Sequence, residues 1–185
     1  MKKVAVFGSD NVRSLASVVG FLKEALITAV APLNSPFYEL AKSLNIEVVE
    51  SLEEKTLQNF DVLLEYDIEA PNVIDVEVLK LHPSLLPSFD SKDPIKDAYL
   101  AGVKVSGVTV YSVSRDKILA QFPVLVENDF HFEDYVESIT KAENLLYPLV
   151  IKSQLENKIF NFTDIIGGSS SGCSGNCGSC AGGCK

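Results

Sequence analysis

The sequence predicts an α/β fold: a doubly wound, mainly parallel sheet with antiparallel additions and a long C-terminal helix. Short apolar strand patterns alternate with helical patterns through residue 65, which is typical of parallel strands joined by right-handed crossovers. After residue 104, two alternating strand patterns follow each other with no helix between them, which indicates antiparallel pairing. An amphipathic pattern over residues 132–155 predicts the final helix.

The chain opens with a β-turn-α unit. Lys3–Phe7 is rich in β-branched and aromatic residues and predicts a strand, and Gly8–Asn11 supplies a turn with helix-capping residues. The other elements of this half are expected as strands at 27–32, 47–50 and 60–65 and helices at 12–25, 36–44 and 52–59. Ligands of such sheets bind at the carboxyl ends of the strands, so we expect the functional site there.

The second half begins with an apolar strand, Val78–His82, that leads directly into Pro83–Pro87. Two prolines in this short segment exclude regular structure and predict a rigid loop after the strand. The remaining elements are expected as a helix at 93–101, strands at 105–113 and 118–126, and the helix at 132–155.

Composition limits the classes of function. The chain has 185 residues, of which 46% are hydrophobic, enough for one ordinary core. Its net charge is −9 and its 16 Lys and Arg residues are scattered, so we expect no nucleic-acid partner. No apolar run is long enough to span a membrane and no signal-peptide pattern opens the chain. We therefore expect a cytoplasmic protein without a membrane partner.

The end of the sequence forms a separate segment. From Gly167 to Cys184 only Gly, Ser, Cys, Asn and Ala occur, and residues of these types cannot pack a core. We expect a main domain at 1–164, a Gly/Ser linker at 165–172 and a cysteine-rich tail at 173–185.

All 4 cysteines lie in this tail, at Cys173, Cys177, Cys180 and Cys184. They are too close together for disulfides among them to constrain the rest of the fold. In a reducing compartment they are therefore expected to be metal ligands. Four soft thiolates favour zinc or an iron–sulfur cluster, and the compact spacing favours the cluster. A flexible thiol tail without a defined role remains the alternative. A bound centre would imply a redox or metal-delivery partner protein.

One motif carries a family resemblance. Leu81–Pro87 reads Leu-His-Pro-Ser-Leu-Leu-Pro, and Gly107–Tyr111 and Glu143–Val150 follow it in the chain. These segments, in this order, resemble the folate-dependent formyltransferases, most closely the phosphoribosylglycinamide branch of purine synthesis. The resemblance covers roughly residues 3 to 160 and implies the Rossmann-like, doubly wound fold of that family.

The resemblance also implies a chemistry. In that family a formyl group passes from 10-formyltetrahydrofolate to an amine, with an Asn, a His and an Asp at the site. The His matches His82, which is either catalytic or an inherited structural histidine. Lys80 stands at the position of the Asn, and Asp116 is the acidic residue left in a shortened loop. An ion pair between Lys80 and Asp116 would replace the family's pair. The second histidine, His131, is expected at the surface.

The substrate-binding residues that the resemblance implies are Gly8, Ser9, Asn11 and Arg13. In the family a loop of this kind binds a nucleotide phosphate through backbone amides. Here Asp10 adds a negative charge to the loop, which Arg13 partly offsets. The expected ligands are thus a small-molecule substrate or a folate.

Two functional hypotheses follow from these residues. The first is a divergent formyltransferase with substituted catalytic residues that does not perform the ordinary purine step. The second is a non-catalytic scaffold that binds or delivers a metal or iron–sulfur cluster through its cysteine tail.

Overall fold

A computed structural model describes residues 1–71 and 73–162 of the chain. The linker and the four cysteines of the tail lie outside these residues. Within the described ranges, no helix has the length and apolar character needed to cross a membrane.

The elements alternate between strands and helices in the first half of the chain. The strands are β1 (Lys3–Phe7), β2 (Leu26–Val30), β3 (Glu47–Val49), β4 (Val62–Glu65), β5 (Glu77–His82), β6 (Val105–Ser112) and β7 (Lys117–Leu125). The helices are α1 (Leu15–Phe21), α2 (Pro36–Ser43), α3 (Glu54–Leu57), α4 (Pro94–Leu100) and α5 (Phe132–Leu155).

The seven strands of the described residues form one sheet in the order β3-β2-β1-β4-β5-β6-β7. The first five strands are parallel, and β6 and β7 add to this sheet in antiparallel fashion. The chain runs outward from β1 to β3 on one side and returns to β4 on the other. The order therefore reverses between β1 and β4, at the crevice where doubly wound sheets usually bind ligands.

Side-chain alternation divides the core between the two faces of the sheet. Val4 and Val6 of β1 join the larger core, whereas Ala5 and Phe7 join the smaller one. Residues of α1, α2, α4 and α5 complete the larger core, and α3 with the β4–β5 connection covers the smaller one.

The last helix fixes the antiparallel half of the sheet. α5 packs against β4, β5, β6 and β7 as well as α1 and α4. Two of its buried tyrosines bind the sheet directly: Tyr147 Oη donates to the Leu79 carbonyl at 3.3 Å, and Tyr135 Oη donates to Ser106 Oγ at 2.6 Å.

The predicted fold class is confirmed, and the bounds of α5 agree with the expectation. The first helix differs, because it begins at Leu15 and not at Val12. Ser14 precedes it with φ 61, a left-handed conformation that cannot extend the helix backwards. The third helix is also shorter than expected, covering only Glu54–Leu57.

Substitution of Gly107 tests the packing of β6 on β7. A Cβ at Gly107 would meet the Phe122 carbonyl oxygen and lie 2.8 Å from Leu85 Cδ2. We expect Gly107→Ala to lower the free energy of unfolding by about 1–3 kcal/mol in denaturant titrations. Gly20→Ala is the control, because it has open space in α1 and is expected to raise that free energy by roughly 0.5–1 kcal/mol. Equal effects of the two substitutions would contradict the packing described.

Candidate active site at the carboxyl ends of the strands

The register of β5 brings together a row of polar side chains at the carboxyl edge of the sheet. Lys80 is opposite Glu65 of β4 and Tyr111 of β6, and His82 is opposite Thr109. Because side chains alternate along a strand, Lys80 and His82 lie on the same face. This is the face of the smaller core, just beyond the last apolar residues that α3 covers.

Glu65 and Lys80 form an ion pair within this row. The Lys80 ammonium lies 3.9 Å from Glu65 Oε2, and Glu65 Oε1 accepts a hydrogen bond from the Ala70 amide at 2.9 Å. The Glu65 side chain is only 6% exposed. Burial raises the pKa of Glu65, and the Ala70 amide and Lys80 oppose this effect. The site thus contains a buried carboxylate next to an ammonium group.

His82 is half-buried and its ring has a defined partner. Nε2 lies 3.2 Å from the carbonyl oxygen of Phe89. A carbonyl can only accept, so this contact favours the tautomer with the proton on Nε2 and leaves the lone pair on Nδ1. Phe89 itself has φ 53, which is uncommon for a bulky residue and costs about 1–3 kcal/mol.

The loop that follows His82, Pro83–Phe89, is fastened to the antiparallel strands. Thr109 Oγ1 donates to the Ser84 carbonyl at 2.6 Å and accepts from the Leu86 amide at 3.0 Å. Gln121 Nε2 of β7 donates to the Leu86 carbonyl at 2.8 Å. These bonds hold the Pro83–Phe89 loop, and with it the Phe89 carbonyl, in a fixed position relative to His82.

Tyr111 completes the row beside Lys80. Partial burial raises the pKa of its hydroxyl, and the negative charges of Glu65 and Asp90 raise it further. Asp116 and Glu69 add to the same effect. Tyr111 therefore stays protonated and available as a hydrogen-bond donor.

Asp116 lies in the tight turn between β6 and β7, with φ 48. The Val113 amide, just before this turn, donates to the Val78 carbonyl at 2.8 Å. The turn therefore lies beside the amino-terminal end of β5, whereas His82 is at its carboxyl end. The expected ion pair between Lys80 and Asp116 is not formed, because the ammonium of Lys80 pairs with Glu65 instead.

The loop after β1 binds a carboxylate of the chain itself. The amides of Ser9, Asp10 and Asn11 donate to the two carboxylate oxygens of Asp67, at 2.7, 2.7 and 2.9 Å. Gly8 is needed at the start of this loop, since a Cβ there would lie 2.8 Å from Cγ of Phe37. The loop is thus closed against the segment after β4.

Arg13 is also bound within the fold. Its Nε donates to Glu143 Oε2 of α5 at 3.0 Å, and the Glu143 side chain is only 1% exposed. Burial raises the pKa of Glu143 and Arg13 opposes that shift. The guanidinium that was expected to offset the charge of Asp10 is therefore paired with a buried glutamate.

No cluster of His, Cys, Asp and Glu suited to a metal ion occurs among residues 1–71 and 73–162. The predicted ligands Cys173, Cys177, Cys180 and Cys184 lie outside the described residues. His131 is exposed and precedes α5, where its amide donates to Asp134 Oδ2 at 3.1 Å.

Three carboxylates of this region were not predicted as functional residues: Glu65, Asp67 and Glu143. Glu65 ends an apolar run, and a charged residue at the carboxyl end of a buried parallel strand is a usable signal. Asp67 gives a weaker signal, because it stands among other acidic residues. The pairing of Glu143 with Arg13 joins distant parts of the chain, and no local pattern predicts it.

Comparisons with known proteins agree with this architecture. A model of the formyl transferase family matches residues 68–151. Phosphoribosylglycinamide formyltransferase of Bacillus subtilis (strain 168) is 30% identical, over 84% of this chain and 95% of that protein. The chain belongs to the formyl transferase family. The part matched by the family model includes Lys80, His82 and Asp116 but not the loop after β1.

Solved structures of family members have the same fold. Glycinamide ribonucleotide transformylase 1 from Geobacillus kaustophilus superposes with a TM-score of 0.69 at 28% identity, covering 84% of this chain and 99% of that one. The corresponding protein from Symbiobacterium toebii gives 0.72 at 22% identity, covering 85% and 89%, a likeness of fold alone.

Glu65→Gln tests the buried carboxylate. The raised pKa means that the folded state binds this proton more tightly than the unfolded state, whose carboxyl has an ordinary value near 4.5. The contribution of Glu65 to stability is therefore greatest below pH 4.5 and falls as pH rises to the folded-state pKa.

Glutamine has no such titration. The stability of Glu65→Gln relative to the unchanged protein should increase as pH is raised through this window, by about 1.4 kcal/mol for each unit of raised pKa. Denaturant titrations at several pH values measure this difference, and the points below pH 4.5 are the internal control. A difference that does not vary with pH would contradict the assignment.

Proposed function

We propose that this protein transfers a formyl group to an amine at the carboxyl edge of β5, and that it does not perform the ordinary phosphoribosylglycinamide step. The observation that carries the proposal is the position of His82. It stands at the carboxyl end of a central strand, two residues after Lys80 and on the same face. Its Nε2 contacts the Phe89 carbonyl oxygen of the Pro83–Phe89 loop.

The side chains of this edge fit a formyl donor of the 10-formyltetrahydrofolate type. When bound, such a donor supplies an electrophilic formyl carbon on a nitrogen leaving group. Lys80 offers N–H donors to the formyl oxygen, on which negative charge develops as the amine attacks. Its pairing with Glu65 at 3.9 Å holds the ammonium at the edge of the sheet. Tyr111 is the second donor in the same row.

In this reaction His82 acts as the general base and then as the general acid. The acceptor amine forms a new C–N bond, and its proton passes to Nδ1 of His82, the nitrogen left free by the Phe89 carbonyl. The bond between the formyl carbon and the donor nitrogen then breaks, and the imidazole returns the proton to that leaving nitrogen.

The substituted residues argue against the ordinary purine step. The resemblance assigns Lys80 to the position of the family's asparagine, and Lys80 is paired with Glu65. Asp116, the candidate for the family's aspartate, lies in a turn beside the other end of β5. A catalytic role for Asp116 remains a prediction, and its effect on Tyr111 is electrostatic.

His82→Ala tests the proposal. With 10-formyltetrahydrofolate and a panel of phosphate-free primary amines that includes glycinamide, formation of tetrahydrofolate should fall by about 10²–10⁴-fold in the variant. His131→Ala is the matched control, because His131 is the other histidine and is exposed at the start of α5. It should retain the rate.

Two results would contradict this function. One is full activity of His82→Ala with every amine that the unchanged protein formylates. The other is turnover of phosphoribosylglycinamide that exceeds turnover of every phosphate-free amine, which would assign the protein to the ordinary step.

The cysteine tail supports a second candidate function. Its four thiols at Cys173, Cys177, Cys180 and Cys184 are spaced closely enough to bind one centre, and glycines separate them. In this function residues 1–164 are a scaffold, 165–172 a linker and 173–185 a module that passes an iron–sulfur cluster or zinc to a partner protein.

Purification without oxygen tests whether the cysteine tail binds a metal or cluster. We expect about one centre per chain by metal and sulfide analysis, and its loss in Cys177→Ser because one of four thiolate ligands is removed. Ser179→Ala, in the same tail, should keep the centre. Protein that keeps residues 173–185 but holds no metal under these conditions would rule out the second function.

A further inference from the structure

The contact between Asp67 and the loop after β1 lies at a particular place in the sheet. Ser9–Asn11 follow β1, and Asp67 follows β4. These two strands are neighbours, and the strand order reverses between them. Asp67 therefore joins the two loops that border the crevice where open α/β sheets bind their ligands.

Three consecutive amides that converge on one anion form an anion-binding nest. Ser9 N donates to Asp67 Oδ1, and the next two amides donate to Oδ2, all at 2.7–2.9 Å. These lengths lie at the short end of the range for N–H···O hydrogen bonds. The chain has supplied a carboxylate where a nest of this kind would bind a phosphate.

Backbone hydrogen bonds fix the chain on both sides of the contact between Asp67 and the loop. The Phe37 amide donates to the Ser9 carbonyl at 2.9 Å, and the Tyr66 amide donates to the Phe7 carbonyl at 2.9 Å. The rings of Phe37 and Tyr66 pack edge to face with centroids 5.1 Å apart. Asp67 is thus held opposite the amides by the buried residue that precedes it.

The charges around the nest also disfavour an external anion. Asp10 is part of the loop itself, and Arg13 is engaged by the buried carboxylate of Glu143. Asp67 is exposed, so its removal would leave the three amides open to solvent rather than buried without a partner.

We infer that Asp67 is a specificity-determining residue that occupies the anion position of the Ser9–Asn11 nest and excludes phosphorylated ligands, so that the acceptor amine is a phosphate-free molecule. The statement about the acceptor rests on the proposed formyl transfer, whereas occupation of the nest does not. In chemical terms, an external phosphate would have to displace a carboxylate that is covalently part of the chain and present at high effective concentration.

Replacement of Asp67 should convert the nest into a phosphate site. In Asp67→Ala, inorganic phosphate at low ionic strength should shift the amide ¹H–¹⁵N resonances of Ser9, Asp10 and Asn11, and affinity should rise by about tenfold or more over the unchanged protein. Asp116→Ala makes the same change in net charge at the turn between β6 and β7 and should leave these resonances unmoved. In the unchanged protein, the phosphate concentrations that shift these resonances in Asp67→Ala should leave them unmoved.

A second variant keeps the proposal testable if the first one is unstable. If Asp67→Ala does not fold, Asp67→Ser replaces it under the same criteria, because its shorter neutral side chain cannot reach all three amides. Absence of phosphate binding in the folded variant, shifts confined to other residues, or equal binding by Asp116→Ala or by the unchanged protein would each overturn it. Phosphate binding is measured here without an enzyme assay. A failure of the proposed formyl transfer can therefore be distinguished from a failure of the inference about Asp67.

Discussion

The position of β5 between a parallel and an antiparallel neighbour governs the candidate site. Pairing with β4 sets Glu65 beside Lys80, and pairing with β6 sets Tyr111 on its other side. A shift of one residue in either pairing would turn Lys80 and His82 to the opposite face, into the larger core. The buried tyrosines of α5 oppose such a shift, because Tyr147 binds the Leu79 carbonyl and Tyr135 binds Ser106.

The same constraint sets the position of Asp116. The short turn between β6 and β7 follows directly from the antiparallel register and keeps Asp116 beside the start of β5. At the carboxyl edge the negative charge beside Lys80 comes from Glu65 of β4, and Lys80 and the Ala70 amide partly offset the cost of burying that carboxylate.

The sequence predicted the fold class well because apolar periodicity and the Pro83–Pro87 segment are local signals. It located His82 at a strand end for the same reason. It did not predict the Glu65–Lys80 pair or the Asp67 contact, since each joins side chains brought together only by strand pairing. The predicted start of α1 was wrong because Ser14 adopts a left-handed conformation, which cannot be predicted from a serine in the sequence.

The packing of α5 has a consequence for how the chain is made. This helix contacts four of the seven strands and carries much of the larger core, yet it is the last element of the described fold. A ribosome releases β4, β5, β6 and β7 before α5, so their apolar face stays uncovered during that part of synthesis. The larger core can therefore close only after residue 155 has left the ribosome.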